Sequence, residues 1–358
     1  INKRMIAKYL STYESEKISF GKIIKEVFND ALIYDLPESD YAGNINFSYR
    51  SVVSVLKERS RKVRFLDKIT SFLEKHCIEI SEIKECLFAN GTIQNYLKYL
   101  APKTRLVRFE HGTSDLSRYF QYTDVDPGYI KKLKDNLVLF DHINMIQDEV
   151  VSLFAGEIAN INSTLPLVQL DETVVKKLFN ILSDPFEKKI EELLLLPHML
   201  LILVPTIEVF TQDKQLHKVF MEELFIYIKN SITKTGVQYK SVLLKYRFDS
   251  IQGEYNQLAE EVFKVKIYDF AEIVDKNLAI EVFIDKIRPV ALIGVLSYAQ
   301  LNIKKLFPAI TSYSFHRYYM RYTEKHFGRT YPQFYEMDKE YYLDYKNQLE
   351  HVLPINLE

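Results

Sequence analysis

Three short stretches of the 358-residue chain set titratable, cationic and hydroxyl side chains at the ends of apolar runs. The first, Arg108-Phe109-Glu110-His111-Gly112-Thr113, closes an alternating run over residues 104–109 with an acid, a histidine and a glycine. Glycine lets the backbone turn sharply and lets a ligand come close. A glutamate in a closed cleft has its pKa raised by desolvation, which suits a general base that takes a proton from a hydroxyl. A plainer arrangement stays open at this stage, with Glu110 capping a helix or pairing with Arg108 or Arg118. The second stretch, Lys245-Tyr246-Arg247-Phe248-Asp249, ends an apolar run with two cations. Such a pair neutralises a phosphate, the arginine in bidentate fashion, or simply solvates a strand end. In the third, Gly294-Val295-Leu296-Ser297-Tyr298, a glycine and a hydroxyl precede fresh helix amides, the makings of an anion site. Any strand-to-helix turn shares that look.

All three stretches need strands to deliver them and helices to cover those strands. Residues 1–30 read as an amphipathic helix, and residues 31–36 as a strand closed by Pro37. A charged segment of helical period covers residues 48–75, with the basic cluster 57–64 on its solvated face. Strand 83–89, the turn Asn90-Gly91-Thr92, helix 93–100 and the strand leading to Glu110 form a βαβ pattern, the mark of a parallel sheet. A helix over 172–182 precedes Asp184-Pro185 and the charged run 187–192, which read as a domain boundary. Beyond it strands (199–205, 241–247, 265–268, 289–295) alternate with helices (214–235, 254–263, 276–284, and one from Tyr298). Apolar runs with little alternation are what parallel strands covered on both faces require. The tyrosine-rich tail, residues 312–345, reads as an aromatic helix packing back across both domains, or as a surface that holds a sugar chain.

The fold expectation is therefore α/β, with two Rossmann-like doubly wound domains (1–190 and 191–325), a cleft between their carboxyl edges, and a C-terminal helical segment (326–358). Composition agrees with a globular chain: 47% of residues are apolar and 27% charged. A net charge of −1 gives no global attraction to nucleic acid or anionic lipid. The only cysteines, Cys77 and Cys86, build neither a disulfide framework nor a zinc site and fit a reducing compartment. The longest apolar run, residues 193–204, is too short to span a bilayer. The chain opens at Ile1, so a removed leader or anchor stays open. Neither GxxxxGK[ST] nor GxGxxG, GxSxG or HExxH occurs, which removes the common nucleotide, dinucleotide, hydrolase and zinc-peptidase readings.

In this order the three stretches resemble bacterial sialyltransferases of the two-domain GT-B type, above all the capsular polysialyltransferases of glycosyltransferase family 38 and their relatives in family 52. Those families carry an acidic-acidic-glycine motif, a later Lys-x-His-Pro segment and a serine or threonine motif at a strand-to-helix turn. Here FEHG, LLKYRFDS and LIGVLSYAQL stand in those places, and the resemblance covers roughly residues 80–310.

The resemblance implies an inverting, metal-independent transfer of sialic acid, or a related nonulosonate, from a CMP-sugar to a glycan hydroxyl in bacterial capsule or surface-polysaccharide synthesis. Glu110 would be the base, Ser297 with Tyr298 and Gly294 would contact the phosphate or ribose, and Lys245 would match the lysine before His-Pro. Asn90, Gly112 and Thr113 are expected on the acceptor side or its loops. Two departures stand out: His111 fills the second acidic position, and Tyr246-Arg247 or Arg247-Phe248 stands where His-Pro, with the histidine that assists the departing phosphate, is expected. Arg247 can stabilise that charge without donating a proton, and His111 can help from the other side. The same fold with another donor (Kdo, UDP- or GDP-sugar) and a degraded scaffold homologue are the rival readings. The expected partners are a nucleotide-sugar and an oligo- or polysaccharide, not nucleic acid. The expected location is cytoplasmic, with peripheral inner-membrane or capsule-complex association possible.

Overall fold

The computed structural model describes residues 5–9, 31–35, 67, 70–71, 73–88, 101, 103–109, 116, 148–196, 198–205, 210–246, 253, 255–274 and 278–357. The chain divides into two compact units, one made of Ile1–His111, Thr123–Val151 and Thr164–Val168, the other of Gly112–Tyr122, Ser152–Ser163 and Gln169–Glu358.

In the first unit β1 (Met5–Tyr9) pairs in parallel with β2 (Ala31–Asp35). The helix expected over residues 1–30 is thus a strand at residues 5–9. The sequence MIAKY is apolar at both helical and strand spacing, and a run this short is settled by pairing rather than by period. A second sheet has the order β3 (Glu85–Phe88), β4 (Arg105–Phe109), β5 (Glu149–Ser152), β6 (Leu167–Gln169). β3 and β5 both pair in parallel with β4. Leu106, Val107 and Arg108 of β4 are all buried, as a central strand covered on both faces requires. The strand ends at Phe109, directly before Glu110.

The second unit is built on six parallel strands. They are β7 (Met199–Val204), β8 (Ser241–Tyr246), β9 (Lys266–Asp269), β10 (Ala291–Gly294), β11 (Thr311–Ser314) and β12 (Ile355–Asn356). Their spatial order is β12-β11-β10-β7-β8-β9. Chain order runs outward from β7 in one direction through β8 and β9, then returns to β10 and runs outward the other way. The sheet therefore has a topological switch point between β7 and β10, the arrangement of doubly wound dinucleotide-binding folds.

Helices cover both faces. On one lie α4 (Lys214–Thr235), α5 (Asn256–Phe263) and α7 (His316–Phe327), joined by the ring pairs Phe220–Tyr319, Phe220–Tyr322 and Phe225–Phe263. On the other, α1 (Ala155–Ile161), α2 (Glu172–Ser183), α3 (Glu187–Leu194) and α6 (Tyr298–Leu306) flank a 3-10 turn, Ile280–Phe283. There Ile190, Leu193, Leu201, Leu243, Phe283, Leu292 and Ile303 share one buried core. Asp171 and Asp213 cap α2 and α4, each accepting two first-turn amides.

Several stretches differ from the sequence expectations. Asp184-Pro185 and the charged run after it, read from the sequence as a domain boundary, form a 3-10 turn and α3, whose Ile190 and Leu193 are fully buried in the second unit. Every third or fourth residue of that run is apolar, which suffices for a helix with one buried edge. The helix expected over 276–284 is instead the 3-10 turn Ile280–Phe283 followed by one helical turn, Ile284–Ile287. The aromatic tail begins with β11, continues as α7, a short helix Pro332–Met337 and a π-helical stretch Asp338–Asp344, and adds β12 to the sheet edge. Among the described residues no helix is long and apolar enough to cross a membrane.

Candidate functional site

In open α/β sheets ligands bind outside the carboxyl ends of the strands, at the switch point. Here that place is marked by the end of β10 and the turn into α6. Gly294 ends the strand, Leu296 takes a left-handed conformation (φ 61°) although nearly fully buried, and Ser297 caps the helix. A bulky residue with positive φ is strained, and such strain collects at ligand-binding turns.

The turn is braced from inside by Gln300, which is fully buried. Ser297 Oγ accepts the Gln300 amide at 3.3 Å, and Gln300 Oε1 accepts the Ser297 amide at 3.0 Å, a reciprocal capping box. Gln300 Nε2 donates to the Tyr313 carbonyl at 2.8 Å and to Ser312 Oγ at 3.3 Å, tying the turn to β11. A methyl group on Gly294 would lie 2.6 Å from Gln300 Oε1, so the glycine makes room for that side chain. Tyr298 packs edge-on against Phe154, with ring centres 6.0 Å apart. The first-turn amides of α6 point out along the helix axis beyond Ser297, with the positive end of the dipole behind them.

A second polar group lies on the same face. Lys245, next to last in β8, lays its ammonium over the Phe270 ring at 5.2 Å and donates to the Tyr246 carbonyl at 3.2 Å. It also acts on the half-buried carboxyl of Glu281, in the 3-10 turn. Burial holds that carboxyl above its ordinary range, against the opposing pull of its own backbone amide, a hydrogen bond from Asn302 and the Lys245 charge. Asn302, on α6, keeps its Oδ1 buried and accepts no hydrogen bond there among the described residues. An acid with a perturbed pKa and a lysine whose charge acts on it, at a sheet's carboxyl edge, are groups expected of a ligand site. Lys245 is thus held by the Tyr246 carbonyl and the Phe270 ring, and its charge also acts on Glu281.

Tyr246 turns away from this group. Its ring is buried, and its hydroxyl donates to Asn256 Oδ1 at 2.9 Å, while Asn256 Nδ2 donates to Asp269 Oδ2 at 3.3 Å. Of the residues singled out in the sequence, Gly294, Ser297 and Tyr298 fall together at the switch point and Lys245 two strands away. Glu110, His111, Gly112, Thr113, Asn90 and Arg247 lie outside the described residues. Glu281, Asn302 and Gln300 did not stand out in the sequence. The one available signal for Glu281 is a lone acid inside the apolar run Leu278-Ala279-Ile280-Glu281-Val282-Phe283-Ile284.

No protein-family model matches the chain, and no curated protein does. Among solved structures the chain is similar to an α/β-galactoside α-2,3-sialyltransferase from the luminous marine bacterium Photobacterium phosphoreum. The identity is 16%, over 87% of this chain and 91% of that one, at a TM-score of 0.48. It is also similar to a glycosyltransferase from Rickettsia africae ESF-5, with 12% identity over 88% of this chain and 79% of that one and a TM-score of 0.38.

Proposed function

We propose that the chain is an inverting, metal-independent glycosyltransferase that moves a sialic-acid-like sugar from a CMP donor to a glycan hydroxyl, in the making of a bacterial capsule or surface polysaccharide. The observation that carries the reading is the switch point between β7 and β10, where a strained, internally braced turn leads into a helix N-terminus at the carboxyl edge of the sheet. The order of the FEHG, LLKYRFDS and LIGVLSYAQL stretches supports it. In the reaction Glu110 takes the proton of the acceptor hydroxyl. The acceptor oxygen then forms a bond to the anomeric carbon as the bond from that carbon to the CMP phosphate oxygen breaks. The electron pair leaves with CMP, and the charge gathering on its phosphate is met by Arg247 and by the α6 terminus at Ser297. The Glu281 carboxyl accepts ribose hydroxyls, as an acid does in dinucleotide-binding sheets.

In the resemblance Tyr246-Arg247 or Arg247-Phe248 stands in place of His-Pro, so in this reading leaving-group assistance is electrostatic, from Arg247, rather than by proton donation. That departure favours one second reading: the same chemistry with a different donor. Incubation with CMP-sialic acid, CMP-Kdo, a UDP-sugar and a GDP-sugar, with mass spectrometry of the products, separates the two. Transfer from the CMP-sialic acid donor alone is expected. Glu110→Gln should lower turnover by a factor of about 100 or more while CMP binding persists. Near-normal turnover in that variant would remove Glu110 from the mechanism.

A further inference from the structure

Gln300 is fully buried, and its side-chain bonds hold the turn where the donor phosphate is proposed to sit. We infer that Gln300 is a positioning residue for the donor, setting the direction in which Ser297 and the first amides of α6 face. The inference rests on the transferase reading. Three observations carry it. The side chain is fully buried and spends both ends on the turn and on β11, bonding the Ser297 amide, the Tyr313 carbonyl and Ser312 Oγ. It fills the volume that a side chain at Gly294 would need. Leu296, in the turn between them, is kept at φ 61°, a conformation that persists only where the surroundings over-determine it. An ordinary capping box needs only the Ser297–Gln300 exchange, but this one reaches on to the neighbouring strand. Glycine at position 294 then serves Gln300 and not the ligand.

The test uses Gln300→Met, which keeps the length and loses the hydrogen bonds, with Gly294→Ala, Gln300→Ala and the Gly294→Ala/Gln300→Ala double variant. CMP, UDP and GDP are titrated by calorimetry, and amide exchange is followed at Ser297. Gln300→Met is expected to weaken CMP binding about tenfold or more and to speed exchange at Ser297, with the donor KM rising more than kcat falls. Gly294→Ala should weaken binding similarly, but should add little when Gln300 is already alanine, because the colliding atoms are gone. Where Gln300→Met does not fold, Gly294→Ala, which leaves Gln300 in the chain and displaces its amide, is read in the same way. Undiminished CMP binding by a folded Gln300→Met, or a Gly294→Ala effect that persists in full without Gln300, overturns the inference alone. A wild-type chain that binds none of the three nucleotides overturns the transferase reading and this inference with it.

Discussion

Glu281 is where stability and binding pull in opposite directions. Its carboxyl is held above the ordinary range by burial, so the favourable contribution is complete at low pH and is lost as pH rises through the raised value. Above that point the folded chain carries a half-buried charge balanced only in part by Asn302 and Lys245. Replacing Glu281 with glutamine removes the cost and keeps the shape. Calorimetric melting of Glu281→Gln at pH 8 should therefore show a higher midpoint than wild type. CMP affinity should fall about 10- to 100-fold, the size of a lost hydrogen bond to a charged acceptor. A lower midpoint with unchanged affinity would make Glu281 an ordinary structural acid. Its neighbours show why residue-scale reading of the sequence singled out some of these side chains and not others. Ser297 and Gly294 sit in a turn whose residue types are distinctive, whereas Gln300, Asn302 and Glu281 matter through burial and partners that the chain acquires only on folding.

Among elements, the connections between α1, α6, α7 and the C-terminal segment rest on two acids, Glu157 buried and Asp338 half-buried. Glu157 of α1 accepts Lys305 Nζ at 2.6 Å and bonds His351 Nε2 at 2.7 Å. Asp338 Oδ1 bonds His316 Nε2 and accepts Arg317 Nε, both at 2.8 Å, while the His316 ring stacks on Tyr342 and its Nδ1 meets Ser314 Oγ at 3.0 Å. Burial alone would raise both carboxyls, but their cationic partners hold them below the ordinary range. Their contribution is accordingly full above the unfolded carboxylate range of about 4 and disappears as pH falls through the lowered values. Melting curves between pH 7 and 3 should show a loss below about pH 4 that is smaller in a Glu157→Gln/Asp338→Asn variant. An equal loss in that variant would assign acid unfolding to other groups. Element type was legible where the pattern was long: the 22-residue α4 and the apolar strands β7, β8 and β10 match their sequence assignments closely. It was not legible for β11, whose four residues Thr-Ser-Tyr-Ser are polar by composition and buried only because β10 and β12 flank them.

For the molecule as a whole, the parallel α/β class was readable from alternation of apolar runs and helices, but the switch point was not. The switch arises because β10 pairs with β7 rather than with β9, which periodicity does not show, and the edge strand β12 is two residues long, far below what periodicity detects. Its place is fixed by tertiary bonds. Leu357 donates its amide to the Ser314 carbonyl at 2.8 Å and accepts the Tyr227 hydroxyl at 2.6 Å, and Val352, Leu353 and Leu357 are buried. Deleting residues 351–358 should cost about 5 kcal/mol or more from the three aliphatic side chains alone, read as a fall in the denaturation midpoint. A midpoint unchanged by the deletion would mean that the sheet does not need its edge. The central claim is that the carboxyl edge between β7 and β10 holds a donor nucleotide. A crystal structure of the chain soaked with CMP tests it most directly. The account expects the phosphate at Ser297 and the first turn of α6, with the ribose hydroxyls at Glu281. CMP bound elsewhere, or a switch point left empty at saturating CMP, would contradict it.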